Sequence, residues 1–140
     1  DAVQQFLRAQ AIVPMPDYAA ALYDLYLKAG KKTEAQRQLA NVDAIDALGK
    51  ANGEKANRNL ALIYADHDYR LDRALELATA ELEFRQDIYT YDALAWALYK
   101  NGRHEEAAKA IAKALQLNTP EPMFQMHAAK IREALSGGTK

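Results

Sequence analysis

The chain contains no cysteine. Disulfides, thiolate nucleophiles and cysteine-based metal sites are therefore excluded. Serine occurs once, as Ser136 near the last residue, so seryl nucleophilic catalysis has no candidate in the body of the chain. Six glycines and four prolines fall mostly at punctuation points. That scarcity argues against a β-rich or disordered chain. No charge of one sign dominates, since 18 Lys and Arg face 19 Asp and Glu. A nucleic-acid partner is not expected, because such domains usually carry a basic stripe. No apolar run approaches the length of a membrane span, so no membrane insertion is expected, and the start carries no signal-like segment. Gly-rich phosphate loops, HExxH and GxSxG are all missing. What remains is 140 residues, half of them hydrophobic, dominated by alanine and leucine. The expected fold class is all-α.

The stretch Tyr91–Pro120 organises the rest. Leu94 and Leu98 lie one turn apart on a first helix, and Gly102 stands where that helix must stop. Ala107, Ile111 and Ala114 form one stripe of a second helix. One such hairpin cannot bury its own apolar faces, so further copies are expected. Pro16–Gly30 supplies one first helix, with Leu22, Leu25 and Tyr26 as its stripe. Its partner carries Ala35, Leu39 and Val42, is expected to start at Thr33 as N-cap, and runs on toward Ala51. Glu54–Asp66 is the next first helix, anchored by Leu60, Ala61, Ile63 and Tyr64, and Asp72–Arg85 is its partner. The turn between them has no glycine and is one residue longer than the others. Glu81 stands where a small residue is expected. Ala2, Phe6 and Ala9 repeat the second-helix spacing at the start of the chain, and Phe124, Ala128, Ile131 and Leu135 mark a last first helix.

The pattern Tyr91, Leu94, Ala95, Gly102, Ala107, Ile111, Ala114 and Pro120 resembles the tetratricopeptide (TPR) repeat, whose period is 34 residues. Leu60 to Leu94 is 34 residues and Leu22 to Leu60 is 38. The resemblance implies an α-solenoid of antiparallel helical hairpins, a right-handed superhelix of about eight helices. It would span 1–135 as one domain: a half repeat at 1–14, repeats near 16–52, 54–87 and 88–120, and a terminal helix at 120–135. Residues 136–140 are expected to be a flexible tail. With unpaired half repeats at both ends, the chain is expected to be a segment of a longer array.

The resemblance further implies a non-catalytic scaffold that holds a protein or peptide partner in a groove lined by first helices. The alternative is a structural spacer or a self-associating segment of a larger protein. The groove positions are Asp24 and Lys28, then Lys55, Arg58 and Leu62, then Tyr89, Asp92, Trp96, Tyr99 and Lys100. Met123, Met126 and Lys130 would extend the strip. Trp96 and Tyr99 are large aromatics one turn apart, suited to anchoring an apolar side chain, or to filling the seam between repeats. Arg58 and Lys55 could meet a carboxylate. The family's chaperone clamp uses Lys and Asn on successive first helices. Ala20 and Asp24 stand at those places in the first repeat and Asp92 and Trp96 in the third, and only the second, with Lys55, Arg58 and Asn59, is basic and amidic, which argues against that ligand. No cofactor is expected. Asp66-His67-Asp68 reads as a polar turn rather than a metal site, His104 as a solvated helix start, and His127 as a surface or rim residue.

Overall fold

The computed structural model describes residues 1–137. Among them it has eight helices and no strand: α1 Ala2–Ile12, α2 Pro16–Lys28, α3 Lys32–Ala51, α4 Arg58–Asp66, α5 Leu71–Glu81, α6 Ile88–Lys100, α7 His104–Ala114 and α8 Pro122–Gly137. The chain divides into two compact units, Asp1–Glu54 and Lys55 onward.

In the first unit α2 packs on both α1 and α3. Ala19, Ala20 and Leu22 of α2 meet Ala35, Leu39 and Val42 of α3 as its buried core. Helix α1 has no buried residue, and its Phe6 leans on Tyr18 at 6.2 Å. Ile12, Val13, Met15 and Leu48 remain exposed.

In the second unit α4 packs on α5 and α6, α6 also on α5, α7 and α8, and α7 on α8. Most positions of the stripes expected from spacing are buried, but Leu94 and Leu135 are only half-buried. Leu60, Ala61, Ile63 and Tyr64 bury from α4, and Ala74, Leu77 and Ala78 from α5. Ala107, Ile111 and Ala114 bury from α7 against Phe124, Ala128 and Ile131 of α8. Alanines on facing stripes let these helices approach closely, and each buried large side chain contributes about 1.5–3 kcal/mol by leaving water.

Helices α2, α4 and α6 stop in the same way. After α6 the Gly102 amide donates to the Tyr99 carbonyl at 3.0 Å, and the Arg103 amide to Leu98 at 2.9 Å. That pair of bonds needs a left-handed residue between them, and Gly102 supplies φ +78. Gly30 does the same after α2. After α4 the position is held by Asp68, at φ 48, with the Tyr69 amide reaching Tyr64 at 3.0 Å. Gly30, Asp68 and Gly102 are thus spaced by 38 and 34 residues, as Leu22, Leu60 and Leu94 are. The glycine-free turn is the longer one, as expected, and Arg70 in it is also left-handed. Gly102→Ala is expected to cost about 1–2 kcal/mol, all of it backbone strain, since a Cβ there meets no atom within 4 Å. Asp68→Gly is expected to raise stability by up to about 1 kcal/mol. Chemical denaturation of the two variants beside the parent measures both shifts.

Several boundaries differ from expectation. Helix α4 begins at Arg58, not Glu54, because the Asn57 side chain accepts the Leu60 amide at 2.9 Å and caps the helix there. Lys55 therefore lies outside the helix. Helix α5 ends at Glu81 rather than at Arg85. Glu81 is buried, and the Arg85 guanidinium approaches its carboxylate at 3.8 Å. Helix α3 starts at Lys32 with Lys31 as N-cap, which makes no side-chain cap bond, so Thr33 lies inside the helix. Helix α8 continues through Ser136 and Gly137, which were expected in the tail. Residues 138–140 of that expected tail lie outside the described ones.

Helix α6, which carries most of the candidate positions, starts at a strong cap. The Asp87 carboxylate accepts the Thr90 amide at 2.8 Å and the Thr90 hydroxyl at 3.0 Å. Burial pushes this carboxyl up, but the Thr90 bonds and the Arg58 and Arg85 charges outweigh that effect and hold it below its ordinary value. A depressed folded value means stability that is complete above the unfolded value. It is lost as pH falls through the lower folded one. Asp87→Ala is expected to cost about 1 kcal/mol at neutral pH. Its deficit should shrink as pH drops below the ordinary 3.8. Denaturation midpoints for both chains across that range check the sign.

Candidate interaction face

The candidate positions separate by unit. Asp24 and Lys28 lie exposed on α2 of the first unit. Arg58, Leu62, Tyr89, Asp92, Trp96, Tyr99 and Lys100 all belong to the second, on α4 and α6, with α8 beside them.

Trp96 lies at the centre. Its ring stacks on His127 of α8 at 4.1 Å and 15° and on Tyr99 at 5.0 Å and 19°. Its indole N–H donates to Asp66 Oδ1 of α4 at 2.8 Å. Trp96 therefore ties α4, α6 and α8 together, and it is only 7% exposed. Of the two roles open to it in the sequence, groove anchor or seam, the structure has the seam. Ala93 and Ala97 on the same helix are buried as well.

Asp92 is likewise not an open groove residue. It is completely buried, and its Oδ1 accepts a hydrogen bond from His127 Nδ1 at 2.8 Å. His127 is completely buried too, which corrects its expected place at the rim. Asp92 Oδ2 and His127 Nε2 find no hydrogen-bond partner. A buried charge or polar group costs several kcal/mol unless it is paired, so this pair holds together under a strong constraint.

The rim above this floor is accessible. Tyr89 is 41% exposed and meets Phe124 edge-on at 5.4 Å. The Arg58 guanidinium lies 5.5 Å over the Tyr89 ring and 3.5 Å from the Asp87 carboxylate. Tyr99 is half-buried, with His104 at 5.5 Å. His104 is thus partly covered rather than fully solvated. Lys100 pairs with Asp68 at 2.8 Å and rests 5.1 Å over the Trp96 ring. Tyr99, Lys100, Asp68, His104 and Ala134 line a recess of about 350 Å3. Leu62 and Met123 are half-buried, and Met126 is exposed. The result is an aromatic floor with an amphipathic rim and one cation toward each end.

Compared with protein-family models, with characterised proteins and with solved structures, the chain matches none.

Two features had no local signal. The Asp92–His127 pair joins residues 35 apart in sequence. Asp66 as the acceptor for Trp96 is 30 residues away. Both follow from how α4 and α8 flank α6, which spacing along one helix does not encode. The polar turn beside Asp66 is otherwise as expected: His67 Nδ1 lies 2.7 Å from the Ile63 carbonyl, to which it must donate. Among the described residues no three His, Asp or Glu side chains group to hold a metal ion.

Proposed function

We propose that the chain is a non-catalytic interaction module built from antiparallel hairpins of the tetratricopeptide kind. In the second unit these hairpins stack as in an α-solenoid, and the face of α4, α6 and α8 takes a peptide. The ligand is an extended segment with an apolar side chain close to a carboxylate. The observation that carries this reading is the row of ring contacts under an open rim. A rigid aromatic floor supports Tyr89, Tyr99 and the two methionines, which can anchor an apolar side chain at low entropic cost. Arg58 and Lys100 supply charge. Their present partners, Asp87 and Asp68, are 47% and 67% exposed in their side chains. Such surface pairs contribute at most about 1 kcal/mol, so a ligand carboxylate can exchange for them.

Selection of short random peptides on the folded chain tests this. Enriched peptides should combine an apolar and an acidic residue. Tyr89→Ala is expected to weaken them by about 2 kcal/mol or more with helicity unchanged. Arg58→Glu should abolish the acidic preference. Peptides that ignore both substitutions would leave a spacer as the better reading. Self-association is a second reading, carried by the first unit, where Ile12 is 81% and Leu48 61% exposed. Its signature is a mass that rises with concentration.

A further inference from the structure

Helix α6 has a second working side. At 100° per residue, Tyr91, Leu94 and Leu98 point away from the stripe of Tyr89, Trp96 and Tyr99. They form the floor of a trough of about 410 Å3 between the end of α5, at Leu82, and α7, at Ala110. Leu82, Tyr91 and Leu94 stay half-exposed there. The rim is charged by α7. Lys109 and Lys113 lie one turn apart, and Lys113 Nζ lies 4.9 Å over the Tyr91 ring. Glu106 is the one acid in the lining, and Arg103 takes both its oxygens, at 2.8 and 2.6 Å. That pairing holds the Glu106 carboxyl below its ordinary value and keeps it ionised. Among the described residues neither lysine makes a close ion pair, although the Lys109 charge also helps to lower the Glu106 carboxyl. The trough is therefore apolar at its base and positive at its edge.

We infer that this trough docks an acidic, apolar-bearing peptide segment of a partner protein, separately from the α4–α6–α8 face. Charge complementarity selects the occupant. Two unpaired ammonium groups in register attract carboxylates spaced to meet them, and the leucine and tyrosine floor needs apolar side chains between those carboxylates. A basic or uncharged segment would leave both lysines unpaired beside it.

The test uses the full chain, isotope-labelled, with three short probe peptides at millimolar concentration: one of glutamate, leucine and phenylalanine, one with lysine for glutamate, and one of glutamate and glycine. The expected result is amide shifts at Leu82, Leu94 and Ala110 with the first peptide alone. Lys109→Gln with Lys113→Gln should weaken that peptide about tenfold or more with the spectrum otherwise intact. Lys109→Glu with Lys113→Glu should remove the binding. No shifts in the trough would overturn the inference. So would equal binding of the glycine-containing peptide, or affinity insensitive to both lysine pairs. Shifts confined to Tyr89 and Met126 would also overturn it while supporting the other face.

Discussion

His127→Ala is expected to destabilise the second unit by about 3–5 kcal/mol, because it leaves Asp92 buried and without its partner. Asp92→Ala should cost a similar amount from the other side. The two residues are completely buried and bonded at 2.8 Å, and each already has one unpartnered atom. Removing either leaves a buried polar group without its partner. Removing both together is different. Asp92→Ala with His127→Ala removes the polar demand from both sides, so the double change should cost clearly less than the sum of the two single ones. A double-mutant cycle by denaturant unfolding measures this. Additive single costs would show that the pair is not coupled and that the two residues act only by filling space.

Trp96→Ala is the second large effect, expected to cost about 3–5 kcal/mol. The indole stacks on two rings and donates to Asp66, so its loss opens a cavity where α4, α6 and α8 meet. Trp96→Phe keeps part of the stacking but loses the N–H bond and the volume of the second ring, so it should cost an intermediate amount, about 2–3 kcal/mol. Thermal unfolding of both variants measures the two costs. A Trp96→Ala chain as stable as the parent would place the indole in an open groove after all. For the same reason Trp96→Ala is a poor probe of binding: loss of a partner would report loss of the fold. Tyr89 and Arg58 are the better probes, since they are partly exposed.

The helices were legible wherever the signal is periodic and local. Leu60, Ala61, Ile63 and Tyr64 fall on one stripe and bury together. Gly30 and Gly102 stop helices because the left-handed turn there favours them. Boundaries were less legible where two capping choices compete. Asn57 caps α4, which removes Lys55 from the helix. The candidate face was legible as a stripe on α6 but not in depth. Tyr89, Asp92, Trp96 and Tyr99 share that stripe, yet depth depends on neighbours brought from far along the chain. The closeness of α8 buries Asp92 and Trp96, while Tyr89, at the helix start, remains at the rim. The trough over Leu94 was hidden for a related reason. Leu94 is a repeat anchor by spacing, and only the position of α7 leaves it half-covered beside Lys109.

The rim over this aromatic floor is expected to hold a partner. The most direct measurement is capture from a native lysate with the parent chain and the Arg58→Glu/Tyr89→Ala variant in parallel, read by quantitative mass spectrometry, with helicity checked for both. A partner should be retained by the parent and lost by an equally helical variant, with an acidic, apolar segment in that partner reproducing the binding alone. Identical captures by the two chains would contradict it.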